Sequence, residues 1–167
     1  FAVPVQAGPG AGIPSNTVDS AWWLADVDGD ARDDLLRAVT TGAALVYVWL
    51  NSATGFGSET LAYSDANLRF SGNPFPPTQS YRQSIVRRPD FDGDGRTDLL
   101  LYACTWDSGT SQCLWTGWFE LTANGTGFAN RGNLPGATYN IAPLLGHFNA
   151  DSLTDVVFPA QGRRPAP

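Results

Sequence analysis

The chain has 167 residues, 43% apolar and 16% charged, the composition of a globular protein able to bury a core. No run of about 18 apolar residues occurs, so no helical membrane span is expected, and the opening Phe1-Ala2-Val3-Pro4 has no export-signal pattern. The net charge is −6, but ten of the sixteen acidic residues stand at odd positions of three short loops; no basic stripe interleaved with aromatics exists, which argues against a nucleic-acid partner.

In chain order, an apolar run at 21–25 leads into Asp26-Val27-Asp28-Gly29-Asp30-Ala31-Arg32-Asp33-Asp34. Apolar residues follow at 35–39, then the turn Thr40-Thr41-Gly42 and a second run at 43–50. The pattern returns at 84–88, in Asp90-Phe91-Asp92-Gly93-Asp94-Gly95-Arg96-Thr97-Asp98, at 99–104, in a turn around Gly109 and at 113–121. A third copy follows the run at 141–145 as His147-Phe148-Asn149-Ala150-Asp151-Ser152-Leu153-Thr154-Asp155. The loops begin at 26, 90 and 147, a spacing of 64 and then 57 residues, which marks a repeat architecture. Similar tags, Asn51 to Phe56 and Asn124 to Phe128, close the first two copies. The runs are rich in β-branched and aromatic residues, are bounded by Gly, Ser, Thr and Asn, and lack a 3.6-residue period. The expected fold is therefore all-β, with short strands arranged as β-propeller blades.

Four Asp at positions 1, 3, 5 and 9 of a tight loop repel one another unless a cation sits among them. The candidate ligands are Asp26, Asp28, Asp30 and Asp34 in the first loop and Asp90, Asp92, Asp94 and Asp98 in the second. An all-oxygen set of flexible carboxylates favours Ca²⁺ over zinc, copper or magnesium. The third loop keeps Asn149, Asp151 and Asp155 but places His147, a poor calcium ligand, at position 1. An EF-hand shares the opening pattern, yet it needs flanking helices and an acidic residue at position 12, where this chain has Arg37 and Leu101. Nothing in the chain resembles a nucleophile, a catalytic base or a phosphate-cradling loop, so no enzyme is expected.

Cys104 and Cys113 flank a turn-rich segment, and facing residues of a hairpin lie within disulfide reach. A disulfide is expected there, in keeping with an oxidising compartment. The six tryptophans, Trp22, Trp23, Trp49, Trp106, Trp115 and Trp118, read mainly as packing residues, with Trp106 the best candidate for exposure. Asn124-Gly125-Thr126 is a glycosylation sequon that also reads as a turn.

The DxDGDxxxDL loops at Asp26 to Leu35 and Asp90 to Leu99, with the Gly-Phe tags at Phe56 and Phe128, resemble the FG-GAP/VCBS family of propeller repeats found in integrin α-subunits and large secreted bacterial proteins. The resemblance implies that the backbone carbonyls of Arg32 and Arg96 join the calcium ligands. It also implies repeat units at 21–83 and 84–140, a partial unit at 141–167 and the tail of a preceding blade at 1–20: about two whole blades of a larger propeller. The texture is also similar to the front of bacterial RHS/YD-repeat and toxin-complex proteins. The expectation is a secreted, cell-surface or periplasmic scaffold whose partners are other blades of the same polypeptide and a protein or glycan. A carbohydrate-binding propeller is the alternative.

Overall fold

The computed structural model describes residues 20–39, 42–70, 85–87, 89–134, 143–149, 151 and 153–158. Segment 1–19 and the unit borders near 83 and 140 lie outside them, as do Thr40 and Thr41 of the first turn. The described residues form strands and turns with no helix, and no sheet closes on itself.

The first sheet holds β1 (Ser20–Ala25), β2 (Asp34–Val39), β3 (Ala44–Trp49) and β6 (Thr60–Asp65), antiparallel and in that spatial order. Between β3 and β6 lies the first tag, folded as a small hairpin of β4 (Asn51–Ser52) and β5 (Gly55–Phe56). The second sheet contains β8 (Ile85–Arg87), β9 (Leu99–Asp107), β10 (Gln112–Ala123) and β11 (Phe128–Asn133). It also takes in β7 (Leu68–Phe70), so a strand from the sequence-defined first unit hydrogen-bonds to the second sheet through Leu68↔Thr105 and Phe70↔Ala103. A third, two-stranded sheet pairs β12 (Leu144–Gly146) with β13 (Asp155–Val157).

The side-chain alternation of strands explains how these sheets layer. Buried Leu36, Ala38, Val46 and Val48 of the first sheet share one core with Leu99, Leu101, Phe119 and Leu121 of the second. The opposite face of the second sheet, Leu100, Tyr102 and Trp118, packs with Leu145, Val156 and Phe158. The second sheet is thus covered on both faces, which accounts for the unbroken burial of Leu99 to Cys104 where a one-sided strand would alternate. Gly127 marks a close approach between the first two sheets: a Cβ there would lie 2.4 Å from the Ala62 carbonyl oxygen.

Cys104 and Cys113 are joined, with Cα atoms 5.6 Å apart, but they do not face each other as expected. Cys104 lies opposite Thr116 and Cys113 opposite Trp106, and a bulge between Cys113 and Trp115 offsets the register. The bond therefore runs diagonally across the hairpin. Trp106 is half-buried, with the Arg69 guanidinium 5.3 Å from its ring centre, so one face of the expected exposed tryptophan is covered. Trp22 and Trp49 stack at 5.5 Å, and Arg37 lies over both and over Tyr47 while pairing with Glu59 at 2.5 Å.

Candidate metal centres

Each loop joins two neighbouring strands of one sheet: β1 to β2, β8 to β9, and β12 to β13. All three are built from the same side-chain-to-backbone bonds. The position 5 N–H donates to the position 3 oxygen, from Asp30 to Asp28 at 3.2 Å, Asp94 to Asp92 at 3.4 Å and Asp151 to Asn149 at 3.1 Å. The position 7 N–H donates to position 5, from Arg32 to Asp30 at 2.9 Å, Arg96 to Asp94 at 2.8 Å and Leu153 to Asp151 at 2.9 Å. These are successive Asx turns, which is why short polar side chains recur at alternate positions. Position 4 carries Gly29 and Gly93 at φ +83° and +75°. Position 6 also needs positive φ, and it is Gly95 in one loop (φ +83°) but Ala31 in the other (φ +66°).

Position 1 anchors the first two loops. Asp26 accepts from the Gly29 and Ala31 N–H groups at 2.7 and 2.8 Å, and Asp90 from Gly93 and Gly95 at 2.7 and 3.1 Å. Position 9 anchors all three loops, taking the position 2 N–H of Val27 by Asp34 (2.9 Å), Phe91 by Asp98 (2.7 Å) and Phe148 by Asp155 (2.6 Å). Asp34 and Asp98 are fully buried and take a second N–H, from Asn51 and Ala123, both at 2.7 Å. Asp34 therefore ties its loop to the β4 hairpin strand that follows β3, and Asp98 ties its loop to the end of β10. Burial pushes Asp34 upward and Asp98 up to about 6; the backbone donors oppose the shift, and the neighbouring position 1 and 3 carboxylates reinforce it.

The carboxylates gather into two groups, Asp26 with Asp28 and Asp34, and Asp90 with Asp92 and Asp98, in which one oxygen from each residue lies within 4.8 Å of the others. That spacing suits a cation with oxygen ligands at 2.3 to 2.6 Å, its remaining positions filled by carbonyls or water. Asp30 and Asp94, expected as ligands, stand outside these groups: Asp30 pairs with the Arg32 guanidinium at 2.6 Å, and Asp94 with Arg96. Among the described residues, His147, Asp151 and Asp155 do not form a third group of this kind. The His147 Nδ1 instead donates to the Leu153 carbonyl, 2.8 Å away, and the Asn149 amide donates to Asp151 at 2.8 Å.

The loops also touch one another, a relation that sequence reasoning missed. The position 8 N–H of Thr97 donates to the position 1 carbonyl of Asp26 at 2.6 Å, and that of Thr154 to Asp90 at 2.9 Å. The recurrence of threonine at position 8 in the second and third loops was the available sign, since the Thr154 hydroxyl also accepts the Asp90 N–H at 3.1 Å. No family model matches the chain, and no curated protein or solved structure matches it.

Proposed function

We propose that this chain is a calcium-stabilised, non-catalytic segment of a secreted multi-domain protein, built from FG-GAP/VCBS-like propeller blades and serving as a rigid scaffold or protein-interaction surface. The observation that carries the reading is the repeated gathering of position 1, 3 and 9 carboxylates into two groups that neighbouring loops bond together. A hard divalent ion in each group offsets the charge repulsion and locks the strands on either side of the loop. Because the loops are also the joints between sheets, ions there stiffen the layering as well as the turns. The Cys104–Cys113 bond agrees with an oxidising compartment.

A scaffold fits the site chemistry better than catalysis does. The acidic groups are engaged with backbone N–H donors, and the ring of the single histidine is held by a carbonyl. Calorimetric titration with Ca²⁺ and Mg²⁺, together with hydrogen exchange across 26–34 and 90–98, tests the proposal. Two calcium ions should bind, with slowed exchange in both loops and weaker binding of magnesium. No binding at millimolar calcium would overturn it, and calcium-dependent retention on a glycan array would favour the carbohydrate-binding alternative.

A further inference from the structure

Asn124-Gly125-Thr126 belongs neither to the acidic groups nor to the joints between loops, and it is the single Asn-X-Ser/Thr triplet in the 167 residues. It makes the turn from β10 to β11, closed by the Asn124 N–H donating to the Gly127 carbonyl at 3.0 Å. Gly125 takes φ +90°, which glycine adopts without strain. Asn124 and Thr126 are both exposed, while Gly127 behind them is buried against Ala62.

The turn treats the two ends of the Asn124 amide differently. Its Oδ1 accepts three bonds, from the Gly127 N–H at 2.9 Å, the Thr126 N–H at 3.2 Å and the Thr126 hydroxyl at 3.3 Å. Its Nδ2 donates to no group among the described residues. By contrast, the Nδ2 of Asn51 donates to the Asp33 carbonyl at 3.1 Å, that of Asn130 to the Tyr63 hydroxyl at 3.1 Å and that of Asn149 to Asp151 at 2.8 Å. The first tag also opens on an asparagine, yet residue 53 is alanine there and the Asn51 amide is already engaged. Asn124 thus combines an exposed, uncommitted amide nitrogen with a hydroxyl two residues on that is bonded to its own oxygen.

We propose that Asn124 is the acceptor of an N-linked glycan, transferred from a lipid-diphosphate-linked oligosaccharide in the oxidising compartment that also forms the Cys104–Cys113 bond. Nδ2 attacks the first carbon of the sugar; the N–C bond forms, the bond from that carbon to the phosphate oxygen breaks, the lipid diphosphate leaves with the electron pair, and Nδ2 gives up one proton. The inference rests on the secreted part of the proposed function and does not depend on any ion. Ala123, next to the acceptor, donates to Asp98, and a Cβ on Gly125 would lie 3.8 Å from Arg96 Nε, so the glycan is rooted beside the second acidic loop. A bulky, hydrated group there keeps the β10–β11 turn in water and places any protein-binding surface elsewhere.

The test is mass spectrometry of the full chain secreted from eukaryotic cells, reading the reduced tryptic peptide 97–131 before and after peptide-N-glycosidase treatment in heavy-oxygen water. The wild type should carry one glycan, and its removal should leave an aspartate labelled with heavy oxygen at 124. Thr126→Ser should keep the glycan, whereas Asn124→Gln and Thr126→Val should lose it. Secreted wild-type chain whose Asn124 is unmodified overturns the site, and so does conversion to unlabelled aspartate alone, which is spontaneous deamidation. Calcium titration of the same material separates the two readings: a chain that binds calcium but carries no glycan sinks only the acceptor site, and a glycosylated chain that binds no calcium sinks only the metal.

Discussion

The loops at 26–34 and 90–98 share their backbone scaffold with the loop at 147–155, yet they solve the position 1 problem differently. In all three, the Asx turns and the bond from position 2 to position 9 are present within a few tenths of an ångström. In the first two, an aspartate at position 1 collects N–H groups, three at Asp26 and two at Asp90, and adds a third carboxylate to an acidic group. In the third, an imidazole reaches across and donates to the position 7 carbonyl. Position 7 is where the carbonyls of Arg32 and Arg96 were expected as ligands in the first two loops. The third loop thus closes by a direct side-chain bond where the others gather three carboxylates. The comparison teaches that the turn and the acidic group are separable properties of one nine-residue pattern.

The largest expected effect comes from chelation. If the two acidic groups hold calcium as proposed, a dissociation constant of about 10 µM at about 1 mM calcium would make each ion stabilise the fold by about 2.7 kcal/mol. Removing two ions should lower the melting temperature by about 10 °C or more, as read by calorimetry. Exchange should rise most in 26–34 and 90–98, and a comparable rise in 147–155 on chelation would break the comparison.

Next in size is Asp98→Ala, which strands the N–H groups of Phe91 and Ala123 in a buried site and should cost about 2 to 4 kcal/mol in denaturant unfolding. Asp155→Ala exposes one N–H at a partly exposed loop and should cost about 1 kcal/mol. Equal losses would show that the buried carboxylate has no special role.

The pH dependence of the metal-free protein gives a third test. Asp98 titrates near 6 when folded, against about 3.9 in an unfolded chain, so the folded state holds the proton more tightly. Its contribution is therefore fully present below about pH 4 and is lost as pH rises through about 6, and Asp34 shifts in the same direction. Under chelation the melting temperature should carry this downward component between pH 4 and 6.5. Saturating calcium should reverse it, because the ion binds the deprotonated form.

Two smaller effects sharpen the contrast. His147→Asp should cost about 1 kcal/mol without calcium, through the lost bond to the Leu153 carbonyl, and should raise the calcium stoichiometry from two to three. Ala31→Gly relieves a non-glycine residue at φ +66° and should stabilise the fold by about 0.5 to 1 kcal/mol, whereas Gly95→Ala should destabilise it by a similar amount.

Much of the strand layout was legible because the apolar runs are bounded by turn residues: 21–25, 35–39 and 43–50 fall on β1, β2 and β3, and 99–104 and 113–121 fall within β9 and β10. The strands β6, β7 and β11 were not located: β6 and β11 mix exposed polar positions with few buried ones, and β7 is three residues long and pairs with the distant β9. The positions 1, 3 and 9 that converge were all among the predicted ligands. Position 5 was legible as an oxygen donor but not as the partner of Arg32 or Arg96, since a neighbouring guanidinium and an ion compete for the same carboxylate.

Sequence alone determined the loops, their repetition and the oxygen character of the acidic groups, because turn chemistry and charge clustering are local: they follow from which residues stand within nine positions of one another. The tertiary structure alone decided that β7 joins the second sheet, that the disulfide runs diagonally past a bulge, and that each loop hydrogen-bonds to the next. Those contacts join groups as far as 71 residues apart, Thr97 to Asp26, and depend on how sheets pack face to face, a relation that no local pattern encodes.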